Sequence, residues 1–198
     1  MARGRPSKKS HIIDTALTLF SRLGYQGTSI DQVVVAAEVS KPTVYSNFSS
    51  KQILWHQALE RILDNADRDL VAFKSQGKAP IEQWLALWQL WLSDTNRLAV
   101  YRIMLGESHK MEEVSFSLFK QLEALFDKAL DQQLASLDKP LSAAQVYVLK
   151  ATSKEAMLMP NLYLSQALTQ ESANVSLVNL SVELKVLLNS LLCPSERF

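Results

Sequence analysis

Lys41, Thr43, Tyr45 and Ser46 present, within six residues, short or flat hydrogen-bond donors of the kind that suit base edges and phosphates in a DNA major groove. Lys41 and Thr43 come first and are expected at bases. Tyr45 and Lys51 come later and are expected at phosphates. Ser40, Pro42 and Asn47 complete this candidate contact set, with Thr28 and Ser29 upstream. No comparable constellation supports catalysis. The chain has no Gly-x-Ser-x-Gly elbow, no phosphate-cradling glycine loop and no His-Glu-x-x-His. Its three histidines, His11, His56 and His109, are far apart and none neighbours a Cys or carboxylate at metal-ligand spacing. Neither an enzyme, a metal site nor a cofactor is therefore expected, and Glu112-Glu113 and Asp67/Asp69 read as solvated faces.

These donors need a rigid support, and residues 27–54 supply one: two short helices joined by a tight turn, then the start of a third. Thr28 or Ser29 is placed to cap the first helix, whose Ile30, Val33, Val34 and Ala37 follow helical spacing. Ser40 is placed to cap the second, where Pro42 is tolerated in the opening turn and Val39, Val44 and Phe48 face inward. The pattern is that of a helix-turn-helix.

Gly24-Tyr25, Gly27-Thr28-Ser29-Ile30, Val39 to Tyr45 (Val-Ser-Lys-Pro-Thr-Val-Tyr) and Asn47-Phe48-Ser49-Ser50-Lys51 together resemble the N-terminal domain of TetR/AcrR-type bacterial transcriptional regulators. The likeness covers roughly the first quarter of the chain. Two positions depart from the pattern: Glu38 stands where the family usually places the turn glycine, and Val34 where it usually places a small alanine. A Glu held at positive φ costs of order 1 kcal/mol.

Composition and charge agree with a helical DNA binder. Hydrophobic residues make up 47% of the 198 and only 5 Gly and 6 Pro are present, which favours helices over hairpins. Residues 1–51 hold seven Lys and Arg against three acids, whereas the remainder holds 14 basic and 17 acidic residues, so positive charge gathers at the candidate DNA end. Arg3, Arg5, Lys8 and Lys9 read as a flexible arm adding backbone or minor-groove contacts. Residues 11–17, directly downstream of them, are amphipathic rather than a leader's apolar run, and no stretch is long and apolar enough for a membrane span. With one cysteine, Cys193, a soluble cytoplasmic protein is expected.

Around the helix-turn-helix, further helices are expected at about 10–23, 51–73, 81–92, 95–105, 112–136, 142–167 and 172–192, with a break at 75–80. Pro160 should kink the sixth of these. Trp84, Trp88 and Trp91 share one helix face, and Tyr101, Met104, Met111, Phe116 and Tyr147 add large or pliable side chains. Individually each is most simply core. Collectively, Trp88, Trp91, Tyr101, Met104, Glu107, Met111, Phe116 and Tyr147 form a candidate effector site, because apolar cavities between helices are usual ligand sites. The stretch Arg102 to Glu107 also resembles the Arg-x-x-x-x-Glu segment of one TetR subgroup's regulatory domains. In the last helix, Leu177, Leu180, Leu184, Leu187 and Leu191 form one stripe and Val175, Val178, Val182 and Val186 another, nearly opposite. One core does not cover both, so either the helix is central to its own domain or its second face meets another chain. The resemblance implies a homodimer through the last two helices.

The expected protein is thus all-α: an N-terminal three-helix helix-turn-helix domain (1–52) joined by a long helix to a larger helical effector-binding and dimerisation domain (53–198). Its expected partners are an operator of double-stranded DNA, a small effector and a second copy of itself. A constitutive DNA-binding factor without an inducer, and a helical protein-binding adaptor, are the competing readings.

Overall fold

The protein is described by a computed structural model at residues 7–74, 79–163 and 182–192, and among these the regular elements are helical and no strand occurs. In chain order they are α1 (Lys8–Gly27), α2 (Ile30–Ala36), α3 (Lys41–Asn47), α4 (Lys51–Ala72), α5 (Pro80–Leu92) and α6 (Thr95–Gly106). A 3₁₀ turn (Ser108–Lys110) leads to α7 (Glu113–Ala135) and α8 (Ala143–Ser153). A π turn (Lys154–Leu158), α9 (Met159–Tyr163) and α10 (Val182–Leu192) complete the series. Arg3, Arg5, Cys193 and the upstream parts of both stripes of the last helix lie outside the described residues.

Two compact units emerge, Met1–Asp67 with Thr95–Leu122, and Arg68–Asp94 with Glu123–Phe198. In the first, Ile12, Ile13, Ala16, Leu17 and Phe20 of α1 are buried, as is Val33 of α2, Val44 of α3, and Leu54, Ala58, Leu59 and Ile62 of α4. Trp55, which periodicity alone did not single out, completes an aromatic cluster: its ring centroid lies 5.1 Å from Phe20 and 5.8 Å from Tyr25. α1 runs through Gly24 with a break, since Gly24 adopts φ 75° and ψ 177° where regular helix is expected to end.

In the second unit the three tryptophans of α5 are core. Trp91 stacks on Phe126 of α7 at 4.3 Å and 11°, and Trp88 meets the same ring edge-on at 4.8 Å. Trp84 donates its indole N–H to Ser153 Oγ at 2.8 Å, both groups being buried. Phe126 belongs to a stripe of buried residues on α7 with Leu130 and Leu134, a four-residue period readable from the sequence. Lys150 joins α8 to α7 through Asp131 at 2.7 Å and Asp127 at 3.0 Å. Burial opposes the Lys150 charge, but the hydrogen bonds to those two carboxylates prevail and raise its pKa. Pro160 does interrupt its helix, and the interruption is a π turn: the Met159 N–H reaches back five residues to the Lys154 carbonyl.

Candidate nucleic-acid interface

The two short helices are set by local chemistry. Ser29 Oγ accepts the Gln32 N–H at 3.2 Å while Gln32 Oε1 accepts the Ser29 N–H at 2.7 Å, a complete capping box for α2. Ser40 Oγ accepts the Thr43 N–H at 3.3 Å and shares a 2.8 Å hydrogen bond with the Thr43 hydroxyl, capping α3. Between them the turn closes through Glu38, whose φ of 52° puts a non-glycine residue in the left-handed region, as its place in the pattern implied.

Around this pair run ties to α1 and α4. The His11 Nε2–H donates to the Ala37 carbonyl at 3.1 Å, so α1 grips the turn directly. Arg61 of α4 reaches Asp14 at 2.7 Å and Ser10 at 3.1 Å on α1. Lys9 lies 5.9 Å over the Phe48 ring that closes α3.

On α3, Lys41, Pro42, Tyr45, Ser46 and Asn47 are exposed and Thr43 is half-buried. Asn47 Nδ2 and Ser46 Oγ both donate back to the Thr43 carbonyl, at 2.8 and 2.9 Å, which orders the end of the helix. Lys41 is engaged from α2: its Nζ sits 2.7 Å from Asp31 Oδ1 with both side chains largely exposed. The hydrogen bond to Asp31 holds its pKa above the ordinary lysine value.

Three expectations need revision. Thr28 is only 1% exposed, and its hydroxyl donates to the Gly24 carbonyl at 2.8 Å, so its side chain closes the α1–α2 junction and does not face outward for DNA. Lys51 is also turned inward. Its Nζ donates to the carbonyls of Tyr25 and Thr28, each at 3.0 Å, and lies 4.3 Å from the Tyr25 ring centroid. Burial pulls its pKa down, partly offset by the charge of Glu107, so the ammonium acts as an internal clamp and the phosphate role is not carried forward. Lys8 and Lys9 are the third case: Ser7 caps α1 by accepting the Ser10 N–H at 3.2 Å, which makes both lysines first-turn helical residues and not part of a flexible arm.

Of the residues considered for an effector, Trp88, Trp91, Tyr101 and Met104 are buried, Tyr101 meeting Phe119 edge-on at 5.1 Å. Met111 is half-buried and Phe116 is exposed. Tyr147 is 75% exposed on α8, which places it on an open face and not in an interior. Glu107 is engaged elsewhere, since its carboxylate accepts the backbone N–H groups of Tyr25 at 3.0 Å and Gln26 at 2.7 Å. Among the described residues no group of three His, Cys, Asp or Glu side chains is arranged to hold a metal ion, and no helix is long and apolar enough to cross a membrane.

A capped, turn-linked helix pair braced by flanking helices, with the polar residues of its second helix exposed, is a helix-turn-helix, the arrangement with which many proteins read DNA. Residues 12–58 match the family of bacterial regulatory proteins of TetR type. The chain is 27% identical over 130 residues to IcaR of Staphylococcus aureus, the negative transcriptional regulator of the biofilm operon icaADBC, covering 64% of this chain and 67% of that one. It is 31% identical over 133 residues to the transcriptional regulator RutR of Escherichia coli, covering 64% of this chain and 60% of RutR. The crystal structure of a TetR-family protein from Mesorhizobium loti superposes with a TM-score of 0.60 at 18% identity, covering 93% of both chains. Residues 12–58 thus match the DNA-binding domain of TetR-type regulatory proteins, and over 64% of its length the chain is similar to helix-turn-helix transcriptional regulators.

Proposed function

We propose that this protein is a homodimeric repressor of a pseudo-palindromic operator, acting in the cytoplasm and released by a small, largely apolar effector. The observation that supports it most is α3 itself: a short helix capped at its start, with Lys41, Pro42, Tyr45, Ser46 and Asn47 exposed along it. Lys41 and Thr43, at its N-terminal end, are assigned to bases, and Tyr45 with Ser29 to phosphates. Residues 1–52 do the reading, and residues 53–198 carry the effector site and the dimer contact. That IcaR is a negative regulator favours repression over activation.

The test is selection of duplexes from random DNA by the full-length chain. Enrichment of an inverted repeat with half-sites about one helical turn (~34 Å) apart supports the reading. Lys41→Ala should then relax discrimination at one base position by ~1–3 kcal/mol. Recovery of no preferred sequence would overturn it. A second reading, a DNA-binding factor that needs no inducer, is favoured by the close packing of Trp88 and Trp91 on Phe126. Reciprocity separates the two, since an effector that releases DNA must bind more weakly when operator is present.

A further inference from the structure

Residues 24–28, from the break in α1 at Gly24 to the residue before the N-cap of α2, are held from two sides by opposite charges. The Glu107 carboxylate accepts the N–H groups of Tyr25 and Gln26 at 3.0 and 2.7 Å. The Lys51 ammonium donates to the carbonyls of Tyr25 and Thr28 at 3.0 Å each. Gly24 makes the first of these grips possible. Its φ of 75° turns the following amides toward Glu107, and a Cβ at this position would run into the carboxylate. Successive backbone N–H groups aimed at one anion form a nest, and hydrogen bonds to a charged acceptor are the strong kind. The gripped stretch ends one residue before Ser29, the N-cap of α2, and α2 is tied in turn to α3 through Asp31 and Lys41. The tilt of this junction therefore sets the tilt of the reading pair.

We infer that Glu107 is a positioning residue for DNA recognition: the amides of Tyr25 and Gln26, backed by Lys51, form an anion site that must hold a carboxylate for α2 and α3 to stand in reading orientation. Glu107 contacts neither base nor phosphate in this role. The inference rests on the DNA-reading function proposed above. A neutral amide does not replace it, because a glutamine side chain offers one acceptor oxygen and meets the second N–H with a donor.

The experiment uses the full-length chain and a duplex it has selected from random DNA. Glu107→Gln, Glu107→Ala and Gly24→Ala should each weaken binding to that duplex by roughly tenfold or more. Binding to unselected duplex should change by less than about threefold, since phosphate contacts persist. Replacing chloride by formate at fixed ionic strength should restore much of the loss in Glu107→Ala, where the truncated side chain leaves room for the anion. It should leave the unmutated chain and Glu107→Gln unchanged. Hydrogen exchange at the Tyr25 and Gln26 amides should be slow in the unmutated chain, fast in Glu107→Gln, and slowed again by formate in Glu107→Ala. Unchanged affinity for the selected duplex in a folded Glu107→Gln protein overturns the inference. So does a loss shared equally by selected and unselected DNA that formate does not reverse, for then the contact is only a staple. If the unmutated chain selects no duplex, the DNA-reading function itself falls and the inference with it, whereas a selected duplex bound equally by Glu107→Gln removes the inference alone.

Discussion

Glu38 holds the turn between α2 and α3 at φ 52°, a conformation that costs a side-chain-bearing residue ~1 kcal/mol. Glycine relieves that strain but gains freedom in the unfolded chain, so Glu38→Gly should raise stability by a net amount on the order of 0.5 kcal/mol. Glu38→Ala keeps the strain and should show no such gain in urea denaturation; equal midpoints for the two variants would mean the turn is not strained. Lys51 makes the opposite kind of prediction. Lys51→Met leaves the Tyr25 and Thr28 carbonyls without their common donor and should cost ~1–3 kcal/mol of stability. Its salt dependence of DNA binding should stay as in the unmutated protein, whereas the loss of a phosphate contact would lower the slope by about 0.9. A lowered slope with unchanged stability would return Lys51 to the DNA surface.

Among the elements, α5 shows most directly how a polar edge alters the cost of a buried aromatic. Trp84 has a partner for its indole N–H in Ser153, while the Trp88 indole N–H is buried without one. Trp84→Phe should therefore cost ~1–3 kcal/mol more than Trp88→Phe in denaturant melts, because it strands a buried hydroxyl. Equal costs would show that the Ser153 contact contributes nothing. Trp91→Ala should lose ~3–5 kcal/mol through the stack on Phe126. The helix-turn-helix was legible because its information is local: Ser29 with Gln32, and Ser40 with Thr43, lie three residues apart, and the turn residue is fixed by position. The grip of Glu107 on Tyr25 was not legible, since the partners are 82 residues apart and one of them is a backbone amide that every residue but proline possesses. The direction of Lys51 was not legible for a related reason, because sequence shows that a lysine is near the reading helix but not which way its ammonium points. The last-helix stripes also shifted. Leu188 and Leu192 are buried, while Val186 and Leu187 are exposed.

At the scale of the whole molecule, the proposed second copy has exposed apolar side chains to cover. Val186, 62% exposed on α10, and Tyr147 and Val148 on α8 are apolar groups left uncovered in the single chain. Val186→Glu should give a folded protein whose light-scattering mass falls to one chain and whose operator affinity drops, as one reading helix then acts alone. Leu188→Glu places a charge in the core and should instead unfold the chain at a cost of several kcal/mol. A one-chain mass for the unmutated protein at operator-binding concentrations would end the dimer proposal. The π turn before Pro160 bears on the same surface through helical phase. At ~100° per residue an unbroken helix would return Leu158 to within about 20° of the azimuth of Tyr147 and carry Tyr163 some 160° away. Yet Leu158 is buried and Tyr163 is 73% exposed. The wide turn absorbs one residue, which resets the count and brings Tyr163 to within about 60° of Tyr147. Two tyrosines that the sequence period sets on opposite sides of a rod thus come to share one side of it.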